Sequence, residues 1–283
     1  LHPETNQEQY LGKTMAEINI NTDTCIMCGK CTQVCPPHIF MQREKKTPIR
    51  VFKPERCIDC GHCVDVCPTH SIEHSNIPYE KVHKIDYKDM PTPEQLMNLL
   101  HARRSNRTFT DRTIQDSAFE QIIEAGYYAP TAVNNRQVKI TLLKDADQLL
   151  QVKQYVMDTF LEMAAKMKAE NNANEGYYNA AMLEGLVKSA TRGRDTILRG
   201  CSAILVFTSN HDMGIRDCQL AYQNSSLMAQ ALGISQVYLG YVLNAYTNGD
   251  QKKLEEIMGV TDHIQAVMAL GIPAFRYTNY TER

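Results

Sequence analysis

No stretch of this 283-residue chain stays apolar for the roughly 18 residues that a membrane-spanning helix requires. No membrane partner is expected. Excess charge is missing too. The 30 Lys and Arg stand against 32 Asp and Glu, a formal net charge of -2, and such a balance gives a polyanion no reason to bind. Neither a secretory leader nor a DNA-binding signature is visible, so the expectation is a cytoplasmic protein with no nucleic-acid partner. Tryptophan is absent altogether. What the chain does have is cysteine: ten in all, eight of them in two runs.

The runs are Cys25-Ile26-Met27-Cys28-Gly29-Lys30-Cys31-Thr32-Gln33-Val34-Cys35-Pro36 and Cys57-Ile58-Asp59-Cys60-Gly61-His62-Cys63-Val64-Asp65-Val66-Cys67-Pro68. Each reads C-x2-C-x2-C-x3-C-P, the spacing that holds one [4Fe–4S] cluster and lends its fourth cysteine to another. Three thiolates spaced by two residues wrap one cubane, each reaching a different iron. The fourth begins a short turn that points away, and proline, with no N–H to offer, ends the local hydrogen-bonding pattern. The pattern assigns Cys25, Cys28, Cys31 and Cys67 to one cluster and Cys57, Cys60, Cys63 and Cys35 to the other. Gly29 and Gly61 stand where the loop must turn tightly and backbone N–H groups can face the sulfurs. A disulfide framework would need an oxidising compartment, and a zinc site normally closes with paired C-x2-C knuckles. Both fit the runs less well. Over about residues 20 to 75 the chain resembles the bacterial two-cluster ferredoxins. His62, inside the second run, is either a tuner of cluster potential or a solvent-facing neighbour of the ligands. The remaining cysteines, Cys201 and Cys218, lie in no redox motif and read as small buried apolar residues.

A ferredoxin-like unit of about 55 to 60 residues leaves roughly 200 for a second domain with a sizeable core. The expected organisation is a polar arm over 1–19, a two-cluster domain over 20–77, an ordered linker over 78–93 containing Pro78, Pro91 and Pro93, and a second domain over 94–283. Val51 and Phe52 suit a short strand of the small domain. Thr92, Pro93 and Gln95 spell the N-cap, first position and capping-box partner of a helix, with Leu96, Leu99 and Leu100 on one face. A second helix starts at Asp116, turns Phe119, Ile122 and Ile123 inward and stops at Gly126. Residues 138–143, 203–207 and 266–270 read as strands. Residues 146–199 read as mostly helical with a polar break at 171–176, and 212–232 as one long helix. Strands separated by long helices give an α+β sandwich around one sheet.

Four segments of the second domain carry a resemblance. Arg103-Arg104-Ser105-Asn106-Arg107-Thr108-Phe109 resembles the opening of the nitroreductase family of flavoenzymes. Ala129-Pro130-Thr131-Ala132-Val133-Asn134 is similar to that family's A-P-[ST]-x-x-N segment. Asp217, Ala221 and Asn224, followed by Ala231-Leu232-Gly233-Ile234-Ser235 and Gly240-Tyr241, resemble its central helix and the loop after it. Ala269-Leu270-Gly271-Ile272-Pro273 is similar to its last strand end. The resemblance implies a nitroreductase-like sandwich, a bound FMN and an intertwined homodimer with FMN at the interface.

The residues agree with an FMN phosphate. Arg103, Arg104 and Arg107 offer fork-shaped charged donors suited to phosphate oxygens, and Ser105 adds a hydroxyl. The alternative is a solvated basic helix end. The resemblance further places Asn134 on the flavin ring or ribityl chain, Leu239 and Gly240 along the backbone that passes the ring, and Arg276, with Arg283, at the phosphate. One departure stands out. The family often has Gln-Pro-Trp after the asparagine, whereas this chain has Arg136-Gln137-Val138.

Clusters move single electrons, and a flavin takes one or two. The expected function is an FMN-dependent oxidoreductase in which electrons pass from two [4Fe–4S] clusters to FMN and on to a small electron-poor acceptor such as a nitroaromatic or quinone. A ferredoxin-type protein or NAD(P)H would be the donor. No protein nucleophile or general acid is evident, so no catalytic side chain is named. One alternative is an electron-transfer protein serving a larger redox complex. Another is a flavin reductase acting on a halogenated or unsaturated substrate.

Overall fold

The computed structural model describes residues 15–170 and 178–282. Most of the expected arm, the polar break at 171–176 and Arg283 lie outside the described residues. The chain forms two compact units. One runs to Met90 and takes in Thr131–Arg136; the other comprises Pro91–Pro130 and residues from Gln137 onward. Residues 78–90 of the expected linker thus belong to the first unit.

The first unit contains β1 (Ile18–Ile20), α1 (Lys30–Val34), β2 (Phe40–Met41), β3 (Arg50–Val51), α2 (His62–Asp65) and β4 (Ile72–His74). β1 pairs antiparallel with β4, Ile18 opposite His74, and β2 pairs antiparallel with β3. The unit is a two-fold repeat. Met27 and Asp59, Gly29 and Gly61, and His38 and His70 each form a pair 32 residues apart, and all six have left-handed backbones. α1 and α2 both start directly after their left-handed glycine. The core is small: Ile18, Ile39, Phe40, Ile49, Val64 and Ile72 close around the buried Cys31, Cys35 and Cys63.

The second unit contains α3 (Pro93–Ala102), α4 (Asp116–Tyr127), β5 (Lys139–Leu143), α5 (Ala146–Ala169), α6 (Ala180–Thr191), β6 (Ala203–Thr208), α7 (Gly214–Ala231), β7 (Ser235–Tyr238), α8 (Gly240–Asn248), α9 (Gln251–Met258) and β8 (Ile264–Gly271). The four strands form an antiparallel sheet in the order β5-β6-β8-β7. Alternate residues of β6 and β8 feed two cores. Leu205, Phe207, Met268 and Leu270 pack with α4 and α7; Ile204, Val206, Val267 and Ala269 pack with α5, α6, α8 and α9. Burial on both faces explains why β6 is an unbroken apolar run rather than an alternating one. The architecture is the expected α+β sandwich. Among the described residues, no helix is long and apolar enough to cross a membrane.

Local signals decide the start of α3. The Thr92 hydroxyl accepts from Gln95 N (3.2 Å) while Gln95 Oε1 accepts from Thr92 N (2.9 Å), a reciprocal cap contributing about 1 kcal/mol. Its apolar face does not find a core within the unit. Leu96, Met97 and Leu100 are exposed. Gly126 is not the stop the sequence suggests, for α4 continues to Tyr127. A Cβ on Gly126 would sit 2.5 Å from Ile140 Cδ1 and 2.6 Å from Ser225 Oγ, so glycine is required there by the close approach of α4 to β5 and α7.

Candidate functional site

The cysteines are buried to different depths. Cys31, Cys35 and Cys63 are buried, Cys25, Cys57, Cys60 and Cys67 partly so, and Cys28 is exposed. Burial, followed by the neighbouring sulfurs of Cys25 and Cys28, pushes the Cys31 thiol up to about 11. Burial, followed by the neighbouring sulfurs of Cys57, Cys60 and Cys35, pushes Cys63 up to about 12. Cys35 of the first run therefore lies with the first three cysteines of the second. So many thiolates gathered in a small core repel one another unless a strongly charged metal centre is among them, and ligation deprotonates thiols outright. This donor set fits iron–sulfur clusters. Cys201 and Cys218 differ: Cys218 is buried and Cys201 partly so, and the apolar surroundings push each up to about 12.

His62 is exposed. The histidine that reaches a run cysteine is His74, at the end of β4. Its Nε2 lies 3.5 Å from Cys57 Sγ and 3.6 Å from Asp59 Oδ1. Burial holds the imidazole below its usual value, and Asp59 opposes that shift. No spacing rule marks His74, because it stands 17 residues from Cys57 and meets it only in the folded unit.

In the same unit, the Asn134 side-chain amide donates to the carbonyls of Ile58 and Asp59, both at 2.9 Å. Arg136 Nη2 donates to Asp59 O (3.2 Å) and its Nε to Asn134 Oδ1 (3.2 Å). Val133, Asn134 and Arg136 are all left-handed. Asn134, expected on a flavin, and Arg136, in the segment that departs from the family pattern, thus hold the second cysteine loop.

In the second unit the basic segment is stitched in on both sides. On one side Asn106 N donates to Gln236 O (3.0 Å) and Asn106 Nδ2 to Ser235 Oγ (3.3 Å), which ties it to β7. On the other side Thr110 N donates to Ile272 O (2.8 Å) and Ala274 N to Thr108 O (3.1 Å). Two of the segments found in the sequence, about 160 residues apart, are therefore neighbours. The Arg104 guanidinium lies over the Tyr277 ring at 5.5 Å, next to Arg276 in the chain. Arg276 Nη2 would be 3.8 Å from a Cβ on Gly233. Arg103 lies near Tyr222, whose hydroxyl is raised by burial and lowered by that arginine and donates to Gln236 Oε1. Guanidinium groups and a hydroxyl are the donor types a phosphate dianion takes; here Arg107 Nη1 donates to Ser105 O (3.2 Å).

Arg107 also lines a cleft of about 520 Å³ with Thr108, Arg194, Asp195, Arg199 and glycines 193 and 200. Asp195 shapes it. Its carboxylate accepts from the backbone of Ile197, Leu198 and Gly200. Arg199 is left-handed, φ 63°, and lies over the Tyr241 ring at 5.9 Å. Burial lowers its pKa and Arg107 adds to the effect. Arg194 and Arg199 belong to no motif and escape sequence reading. Leu239 N is already bonded to Val267 O (2.9 Å). Leu239 is buried, whereas Gly240 opens α8 and a Cβ there would meet nothing within 4 Å.

A family model described as the Nitroreductase family matches residues 100–272, and one described as a 4Fe-4S dicluster domain matches residues 17–68. A protein of Archaeoglobus fulgidus assigned as an NADH dehydrogenase/NAD(P)H nitroreductase is 26% identical over 190 residues, covering 64% of this chain and 86% of that one. The FMN reductase [NAD(P)H] of Bacillus subtilis is 22% identical over 192 residues, covering 64% and 67%. Among solved structures, a nitroreductase with bound FMN from Bacteroides fragilis superposes with a TM-score of 0.52 at 18% identity, over 67% of this chain and 95% of that one.

Proposed function

Because the chain belongs to the nitroreductase family and carries a 4Fe-4S dicluster domain ahead of it, we propose that it is an FMN-dependent iron–sulfur oxidoreductase, taking electrons in through its cysteine-rich unit and delivering them to a small, flat, electron-poor acceptor such as a nitroaromatic or quinone. The observation that carries this reading is the fixing of Arg103–Arg107 between β7 and residues 272–274, beside Arg276. In this reading Arg103, Arg104, Ser105, Arg107 and Arg276 hold the FMN phosphate, and the backbone at Gly240 faces the ring. Leu239 supports that turn through its bond to Val267 rather than through a free N–H. The ligand sets are Cys25, Cys28, Cys31 and Cys67, and Cys57, Cys60, Cys63 and Cys35. When bound, FMN supplies one- and two-electron chemistry and the clusters supply single electrons.

The cleft beside Arg107 has a volume in the ligand-site range of roughly 300–1,000 Å³, which supports a bound small molecule, the cofactor included, at this end of the unit. Its arginines favour a ligand group bearing negative charge, as the FMN phosphate does. The exposed Leu96, Met97 and Leu100 of α3 and Ile215 and Leu220 of α7 support a homodimer. The relatives named for NAD(P)H support that donor, and the dicluster domain supports a ferredoxin-type one. The deciding experiment is an anaerobic reductive titration of the purified protein in a reducing, cytosol-like buffer, with iron, sulfide and FMN counted. About eight irons and one FMN per chain, with the flavin reduced through the clusters, is the expected result. Clusters without FMN would leave a carrier; FMN without clusters would overturn the ligand assignment.

A further inference from the structure

The two cysteine loops repeat at an offset of 32 residues, so departures from the repeat mark where the two cluster sites differ. The last cysteine of each run takes one backbone donor at the same place, Ile39 N to Cys35 Sγ (3.4 Å) and Ser71 N to Cys67 Sγ (3.2 Å), and the Thr69 hydroxyl also lies 3.8 Å from Cys67 Sγ. The first cysteines differ more. Cys57 Sγ accepts from Asp59 N (3.4 Å), lies 3.5 Å from His74 Nε2 and is 3.8 Å from Asp59 Oδ1. The residues matching His74 and Asp59 in the first half are Gln42 and Met27. Gln42 commits its amide to Met27 O (3.0 Å) and Thr47 O (2.8 Å) and gives nothing to Cys25.

One neighbour fixes the state of the His74 ring. Asn76 N–H points at Nδ1 (3.3 Å), so Nδ1 presents its lone pair and the ring proton sits on Nε2. That N–H faces the Cys57 sulfur and the Asp59 carboxylate, whose other oxygen is held by Asn76 Nδ2 (3.3 Å). The His74 side chain is 1% exposed, so water does not compete for the proton.

We propose that His74 is a positioning residue for the cluster held by Cys57, Cys60, Cys63 and Cys35, donating its Nε2–H to the Cys57 thiolate and pairing with the Asp59 carboxylate that faces the same sulfur, so that the two clusters have different reduction potentials. The inference rests on the cluster reading above. A hydrogen bond to a ligand sulfur draws off negative charge and favours the reduced cluster. A nearby carboxylate does the reverse. Loss of His74 removes the donor and takes the imidazole partner from the Asp59 carboxylate, which keeps only Asn76 Nδ2, and both changes lower this cluster's potential. Neutralising Asp59 raises it.

The test is an anaerobic redox titration of the full chain followed by EPR, with iron and sulfide counted first, in the wild type, His74→Leu, His74→Gln and Asp59→Asn. Wild-type protein that does not load about eight irons overturns the cluster reading and the role of His74 with it. In loaded protein, the expected result is two distinct midpoints. His74→Leu lowers one and leaves the other. His74→Gln, which keeps an N–H donor, restores most of the shift, and Asp59→Asn raises the same midpoint. Unmoved midpoints, or equal movement of both, overturn the proposal while sparing the cluster reading. Loss of half the iron in His74→Leu overturns it too, because His74 would then be structural or a ligand. If His74→Leu does not fold, Asp59→Asn decides alone, and an unchanged midpoint there counts against the proposal.

Discussion

The ring of Phe109 lies against Gly271 so closely that a Cβ on the glycine would sit 2.5 Å from Phe109 Cγ. This contact joins the basic segment to the end of β8 and lets the backbone bonds around Thr108, Thr110, Ile272 and Ala274 form. Gly271→Ala must therefore push Phe109 away at a cost of about 1–3 kcal/mol, and the displacement is passed along the backbone to Arg107 and Ser105. The expected outcome is folded protein that retains FMN poorly through gel filtration, with iron content unchanged. A second change, Phe109→Leu, should recover much of the flavin. Full flavin retention in Gly271→Ala would mean that the position of this segment is not what holds the phosphate.

What could be read in advance was chemistry encoded at short range. The cluster spacing is a ligand pattern, and the Thr92–Gln95 cap closes within four residues. Long-range features were misread or missed. Gly126 looks like a helix stop because it is a glycine near a helix end; its reason is the approach of Ser225 and Ile140, which only the packed structure supplies. Leu96, Leu99 and Leu100 fall on one helix face as read, yet Leu96 and Leu100 are exposed and only Leu99 is partly buried, since helical periodicity marks a face without saying what covers it. His74 and Arg199 carry no spacing signal: the fold of the small unit brings one to Cys57, and the turn organised by Asp195 brings the other beside Arg107.

Asn134 gives a prediction that separates two roles. Its backbone is left-handed, φ 53°, a conformation asparagine and aspartate tolerate better than alanine. Asn134→Asp therefore keeps the backbone while turning a donor toward the carbonyls of Ile58 and Asp59 into a carboxylate. Two hydrogen bonds worth about 1 kcal/mol each are lost and repulsion is added. Iron should be stripped by a chelator several-fold faster from the variant, with FMN content unchanged. Loss of FMN with normal iron retention would return Asn134 to the flavin.

The arginines should separate by geometry. Arg103→Ala and Arg276→Ala each delete a charge-assisted donor worth about 1.5–3 kcal/mol, so FMN should bind about 10- to 150-fold more weakly. Lysine at either site should recover only part of this, because it restores the charge without the planar fork. Arg104→Ala should cost less, since its guanidinium is already over Tyr277. Equal losses at all three positions, measured by flavin fluorescence titration, would indicate a diffuse basic surface in place of a built phosphate site.

The order of electron flow can be tested by breaking one ligand set at a time. Cys60→Ser removes a ligand of one cluster, and Cys28→Ser a ligand of the other. Both residues are less buried than Cys31 and Cys63, so serine in their place disturbs the small core least. Each variant should lose close to half the iron and most of its activity with a ferredoxin-type donor. Activity with FMN reduced directly by dithionite should persist, because the residues proposed to hold the flavin lie in the second unit, which has its own two cores. A parallel fall of both activities would place the clusters in the chemistry or the stability of the flavin unit instead of upstream of it. Loss of ferredoxin-driven activity in only one of the two variants would leave a single cluster on the path and make the other a spectator.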